Sequence, residues 1–233
     1  MIRLGVVLPS FRDTATEALA VAAEADRVGV DGVFCYDHLW PMGRPDRPAL
    51  APFPLLAGIA TATDRVAVGP LVARIGMVPD EVLLAELAAL DALAPGRVVA
   101  ALGTGDRLSA AENLAYGLPF GPAEERREHL RRCVRVLRDR GLPVWVGGGA
   151  PATAALAEEE GAAVNLWGAT VEAVAAQAAR SEVTWAGTAP VGPTGDVDGG
   201  LVADWIARLA RAGATWAVFG WPVPLDVLAA ARP

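Results

Sequence analysis

The chain has 233 residues, 53% hydrophobic and 20% charged, which is enough to bury a sizeable core and too apolar for wholesale disorder. Its net charge of −7 argues against a nucleic-acid partner bound through phosphates, and all 20 basic residues are arginine, which excludes a lysine Schiff base. Cys35 and Cys133 lack metal-ligand spacing, the N-terminus lacks a signal-peptide layout, and no apolar run reaches membrane-spanning length. The expected setting is therefore reducing and cytoplasmic, with no metal and no membrane.

Taken in order, buried-strand runs alternate with helical stretches. Residues 4–8 read as a first strand, and Thr14 with Glu17 as a capping box for a helix over 15–27 that closes at Gly29. A strand over 32–36 leads to Asp37 and His38, then to a loop carrying Arg44 and Arg47, then to a helix over 52–63. A third strand over 66–73 precedes a helix from Pro79 to Leu93. The apolar run 98–102 suits a strand buried on both faces; Gly103 and Gly105 end it, and Asp106 follows before a short helical piece. A charged helix over 122–140 comes next, then a strand over 143–146 that turns through Gly147, Gly148 and Gly149 into a helix ending near Glu160. Strands over 162–167, 183–186 and 216–220 alternate with helices over 171–180, 202–211 and 225–231, with 187–200 as a long loop. Eight strand–helix alternations with short connections predict one (β/α)8 barrel domain over 1–233 rather than an open doubly wound sheet.

In such a barrel, the groups that follow strands gather at one mouth: Asp37, His38, Arg74, Asp106 and the turn Gly147 to Gly149. His129, on the charged helix, reads as a surface residue; His38 is balanced between a satisfied structural group and a catalyst. The glycine turn opens a helix with Pro151 in its first turn, so free N–H groups and the helix dipole favour an anion there, although a plain tight turn has the same composition. Trp145, Trp167, Trp185, Trp216 and Trp221 fall in or beside the last four strands. Most read as core filling, with one or two at the mouth able to pack on a flat ring.

Six stretches in order carry a family likeness: Tyr36-Asp-His-Leu39, residues 63–70, residues 79–97 with their Ala-Pro-Gly-Arg ending, Gly103-Thr-Gly-Asp106, Ala115-Tyr-Gly-Leu-Pro-Phe120 and Pro143-Val-Trp-Val-Gly-Gly148. Over residues 1 to about 165 the chain resembles the luciferase-like flavin- and deazaflavin-dependent oxidoreductases. The resemblance implies a (β/α)8 barrel holding coenzyme F420 or FMN, with the ring in the mouth over strands two to four. It further implies a cofactor site built from Asp37, Leu71, Val72, Arg74, Gly103, Gly147, Gly148 and Gly149, with the phosphate at Gly147 and Gly148. It places a bulge with a non-prolyl cis peptide near Leu71-Val72, and it makes His38 and Asp106 the catalytic pair that flanks hydride transfer. Three features depart from the family pattern. Asp106 stands where the F420 branch often has glutamate. Residues from 141 onward hold four arginines against nine acids. The usual insertion over the mouth is missing or reduced to the loop 187–200.

Three functions follow as expectations. The first is an enzyme moving hydride between reduced F420 or flavin and a small organic substrate, with oxygen as co-substrate, as in a monooxygenase, left open. The second is a flavin-binding protein without turnover, like shortened luciferase relatives. The third is a barrel hydrolase using Asp37 and Asp106 as a carboxylate pair. A small molecule is the expected partner, and a homodimer stays open.

Overall fold

A computed structural model describes residues 1–41 and 43–231. Strand β1 (Arg3–Val7) precedes helix α1 (Thr16–Val28), and β2 (Gly32–Cys35) precedes α2 (Pro52–Ala62). The third barrel strand comes in two pieces, β3 (Ala67–Pro70) and β4 (Ala73–Arg74), before α3 (Asp80–Leu93). β5 (Ala100–Gly103) leads through the short α4 (Ala110–Ala115) to α5 (Ala123–Asp139). There follow β6 (Val144–Gly147), α6 (Pro151–Glu159), β7 (Ala163–Trp167), α7 (Val171–Ala178), β8 (Val183–Thr188), α8 (Gly199–Arg211), β9 (Ala214–Gly220) and α9 (Leu225–Ala230).

Neighbouring strands pair parallel in the order β3-β2-β1-β9-β8-β7-β6-β5-β4. Because β3 and β4 are consecutive pieces of one strand, the two ends of that order meet. An isolated bridge from Val68 to Val98, just ahead of β5, helps close the ring. The result is the (β/α)8 barrel expected from the alternation. The peptide bond between Leu71 and Val72, at the break between β3 and β4, is cis. The irregularity implied by the family resemblance is therefore present.

Two apolar layers hold the ring. Outside it, helix faces pack on the strands: in α1 the buried residues Ala18, Val21, Ala22 and Ala25 recur at helical spacing and form one stripe. The charged helix α5 does the same with Leu130, Cys133, Val134 and Leu137, while its arginines face outward. Inside the ring, Phe34, Trp145 and Trp216 fill the centre against Val7, Leu71, Val99, Ala101, Ala163, Ala186 and Val218. Large and small residues are matched across this space: a Cβ on Gly32 would come within 2.9 Å of the Trp216 ring. Each such buried side chain contributes roughly 1.5–3 kcal/mol, so the centre of the barrel is a packed core and leaves the mouth as the place for chemistry.

Several boundaries differ from the sequence reading for physical reasons. The Thr14–Glu17 capping box does not form, and α1 starts at Thr16 after Ala15, with no side-chain cap. Glu17 instead binds Arg12 at 2.8 Å and the Trp221 indole N–H at 3.1 Å; a tertiary partner 204 residues away wins the carboxylate. Helix α8 starts at Gly199, earlier than its glycines suggest, because the Asp198 side chain caps it by accepting from Leu201 N at 3.0 Å. No helix among the described residues is long and apolar enough to cross a membrane.

Candidate active site

The carboxyl ends of β2, the third strand and β5 bring four charged groups together. Just past β2, the Asp37 carboxylate accepts the backbone N–H of Arg74 at 2.7 Å and ties two adjacent strand ends. The Arg74 side chain, 4% exposed, runs under the loop after β5 and donates through Nη2 to Glu112 Oε2 at 2.8 Å. Gly105 makes that path possible: its φ is +68°, and a Cβ there would lie 2.9 Å from Arg74 Cδ. Glu112 sits in the first turn of α4, and its other oxygen meets His38 Nδ1 at 2.8 Å. Glu112 Oε2 also accepts from Leu39 N at 3.3 Å, so the carboxylate grips both the ring and the backbone of the His38 segment.

Burial alone would raise the Glu112 carboxyl. The hydrogen bonds and charges of His38 and Arg74 outweigh it and hold the group below the usual glutamate range. An ionised carboxylate can only accept, so Nδ1 carries the proton on that side and Nε2 is left to face outward. The His38 side chain is 25% exposed against 3% for Glu112, which leaves the imidazole reachable from the mouth while its orienting acid is sealed away. Asp37 behaves in the opposite way: burial raises its carboxyl more than the Arg74 N–H and charge lower it. Burial likewise pushes the Tyr36 hydroxyl up to about 12, so it stays protonated at neutral pH.

Asp106 takes a different place from the one expected. Its Oδ1 accepts from Leu108 N at 2.9 Å, Ser109 N at 3.0 Å and Ser109 Oγ at 3.1 Å, and the residue is exposed. It caps the turn that launches α4, and the acid beside His38 is Glu112, six residues on. Asp37 and Asp106 do not share partners, so the structure does not build the carboxylate pair that a hydrolase would need.

Gly103 and Gly147 face protein rather than open space. A Cβ on Gly103 would lie 2.5 Å from Val72 Cγ2, and one on Gly147 2.8 Å from Val72 Cγ1. The two glycines admit Val72, which reaches across to the ends of β5 and β6 and floors the mouth, above Leu71 in the inner core. Gly148 donates its N–H to Asn165 O at 3.3 Å. Gly149 is exposed, with nothing within 4 Å of a hypothetical Cβ. The amides of Gly149 and Ala150 carry no protein partner among the described residues, and they precede Pro151 at the start of α6. Of the tryptophans in or beside the last four strands, Trp167 is 50% exposed, whereas Trp145, Trp185 and Trp216 are buried. His129 is a surface residue that pairs with Asp80 at 2.9 Å.

A cofactor with a polar ring edge and a phosphate fits this arrangement on two observations. Arg74 Nε is buried with no hydrogen-bond partner among the described residues, an orphan donor of the kind a ligand acceptor completes. The free amides at the start of α6 suit an anion. No group of three or more metal-ligating side chains occurs among the described residues.

The family model for luciferase-like monooxygenases matches residues 2–140, more than half of the chain. The protein belongs to the luciferase-like monooxygenase family. The chain is similar to an F420-dependent glucose-6-phosphate dehydrogenase of Beutenbergia cavernae, 32% identical over 148 residues. That match covers 63% of this chain and 42% of the relative, so it spans under half of the curated protein. Among solved structures, an F420-dependent secondary alcohol dehydrogenase in complex with an F420–acetone adduct superposes with a TM-score of 0.83 at 16% identity, covering 100% of this chain and 98% of that one. The coenzyme F420-dependent tetrahydromethanopterin reductase of Methanopyrus kandleri gives 0.76 at 16% identity over 98% and 97% of the two chains. The monooxygenase RslO1 of Streptomyces bottropensis gives 0.75 at 14% identity over 99% and 96%. At these identities the structural likenesses speak for the fold.

Proposed function

We propose that this member of the family is an oxidoreductase that uses F420 or FMN to move hydride to or from a small organic substrate at the barrel mouth. The observation that carries the reading is the His38–Glu112–Arg74 network, with its imidazole partly exposed and its carboxylate buried and ionised. Family membership and the F420- and flavin-type relatives support the cofactor class. When bound, the cofactor supplies or accepts the hydride. Arg74 Nε and the amides of Gly149 and Ala150 would hold its ring edge and its phosphate, and Val72 would lie beneath the ring. His38, oriented through Nδ1 by Glu112, holds or moves a proton at Nε2, facing a substrate oxygen. Glu112 steadies the imidazolium when that proton is on the ring. Arg74 keeps Glu112 ionised, and Asp106 fixes α4 so that Glu112 reaches His38. A protein that merely stored a flavin would have no use for a buried acid aimed at an imidazole that solvent can reach, and this favours turnover over the binding-only alternative.

The test is to titrate the purified protein with FMN and with F420, following absorbance and fluorescence, and then to mix each loaded form with candidate substrates. Saturable binding of one cofactor, reduced at least tenfold by Gly149→Asp, agrees with the reading. Absence of binding by both would remove it.

A further inference from the structure

We propose that the end of the barrel opposite the mouth holds a second binding site, and that its ligand is a flat organic anion such as an aromatic carboxylate. The site shares no residue with the cofactor site and stands whether or not the redox reading holds.

A cavity of about 540 Å³ opens between the amino ends of the strands, within the range of roughly 300–1,000 Å³ that small-molecule sites occupy. Its floor is Trp145 and Trp216, two buried indoles with ring centroids 5.3 Å apart. Gly161 and Ala163 line it where larger residues would fill the space. Neither indole N–H of the floor has a hydrogen-bond partner among the described residues, and neither is fully sealed from solvent. Those of Trp185 and Trp221, by contrast, donate to Ala169 O at 2.9 Å and to Glu17 Oε1 at 3.1 Å. A tryptophan usually finds a partner for its N–H, so the cavity joins aromatic surface to unmet donors.

The charge at this end is positive. Side chains alternate across a strand. Val7 belongs to the inner core and a Cβ on Gly5 would lie 3.0 Å from the Phe34 ring, so Arg3 points inward as well. It is in register with Trp216 on β9, and its guanidinium lies over that indole, 5.5 Å from the centroid. Inner layers of such barrels are filled mainly by branched apolar residues; an arginine in the last layer leaves this end open and charged. Arg138, in the last turn of α5, is laid across the turn at Gly161, where any Cβ would collide with its guanidinium. Arg3 and Arg138 are exposed, and neither makes an ion pair or a side-chain hydrogen bond among the described residues. Glu182 is the one carboxylate among the described lining residues, and it accepts from Thr215 Oγ1 at 2.9 Å. Two guanidiniums without a carboxylate partner, above two indoles, are a local exception in a chain of net charge −7. A small anion alone gains little from exposed arginines, and a neutral ring leaves both guanidiniums unused. A flat anion meets both features: its ring packs on the indoles, and its carboxylate accepts from the arginine forks.

The experiment titrates benzoate, benzamide and acetate into the native protein, Arg3→Gln, Arg138→Gln and Gly149→Asp by isothermal calorimetry, with melting temperature checked for each variant. Benzoate should bind saturably with a Kd below about 1 mM, within the reach of so small a ligand. Benzamide, which lacks the charge, and acetate, which lacks the ring, should each bind at least tenfold more weakly. Arg3→Gln and Arg138→Gln should each weaken benzoate about tenfold, and both should fold normally because the two side chains are exposed. Gly149→Asp, at the other end of the barrel, should leave benzoate affinity unchanged. No saturable benzoate binding, acetate or benzamide binding as tightly as benzoate, or benzoate affinity indifferent to both arginine substitutions would overturn the proposal. Loss of benzoate binding in Gly149→Asp would overturn it too, by moving the ligand to the mouth.

Discussion

The two halves of the barrel mouth are built on opposite plans. Between β2 and β5 the strand ends carry Asp37, His38, Arg74 and Glu112, locked together by hydrogen bonds of 2.7–2.8 Å and largely withdrawn from solvent. At the mouth, the loops that follow β6 to β9 (148–150, 168–170, 189–198 and 221–224) are rich in glycine and proline and hold no arginine, lysine or histidine. The first half can orient an imidazole and stabilise a charge that appears during reaction, because its groups are buried, paired and unable to relax. The second half offers carbon surface and, at the start of α6, free amides that suit an anion.

Removing the exposed member of the charged half should have the largest effect. His38→Ala is expected to slow hydride transfer on the order of 10²–10⁴-fold with little change in cofactor affinity. A loss of melting temperature with an unchanged single-turnover rate would make the histidine structural. Next, Glu112→Gln leaves Arg74 buried without its counter-charge, and breaking one side of a buried pair costs about 3–5 kcal/mol. At about 2–4 °C per kcal/mol for a domain of this size, the melting temperature should fall by roughly 6–20 °C. The same substitution sets the pH dependence. Glu112 titrates lower in the folded protein than its ordinary value of 4.5, so its contribution is fully present above that value and is lost as pH falls through the folded one. Chemical-denaturation midpoints should therefore drop below pH 4.5 in the native protein, and more shallowly in Glu112→Gln.

On the other half, Gly149→Asp should weaken cofactor binding at least tenfold, an effect of about 1.4 kcal/mol, while melting stays near the native value because the residue is exposed and nothing lies within 4 Å of a Cβ placed there. Gly148 is the poorer choice: its φ of +139° strains any side chain. The smallest effect should come from Asp106→Ala. It removes a cap that accepts from Leu108 and Ser109, worth about 0.5–2 kcal/mol, and should leave turnover within a few-fold of native. A hundredfold loss in a folded Asp106→Ala protein would return that residue to the reaction and weaken the contrast drawn here.

The barrel was legible because its signals are local. Apolar runs of strand length, glycine at Gly29 and prolines near helix starts mark the alternation, and each element forms within about two residues of its sequence prediction, α8 and the two-piece third strand apart. Asp37, His38 and Arg74 were legible for the same reason, since they lie at or just past the ends of strands. The acid was not. Asp106 and Glu112 both follow β5, and which one reaches His38 depends on how α4 turns back over Arg74, a matter of three-dimensional path through Gly105 rather than of spacing. The signal that was present is that Glu112 and its neighbour Asn113 are polar residues on the buried side of a short apolar helix. Val72 was expected at the cofactor, but its packing against Gly103 and Gly147 is a long-range contact that no local pattern records.

The central claim is that Glu112 acts on the reaction through His38, and a double-mutant cycle on single-turnover hydride transfer tests it directly. The rates of the native protein, Glu112→Gln, His38→Ala and the double variant are measured with saturating cofactor at a temperature where all four are folded. If Glu112 orients and stabilises the imidazole, its substitution should cost tenfold or more when His38 is present and less than about twofold when His38 is already alanine. An equal loss in both backgrounds would mean that the two residues act independently, and the proton-handling pair would have to be abandoned.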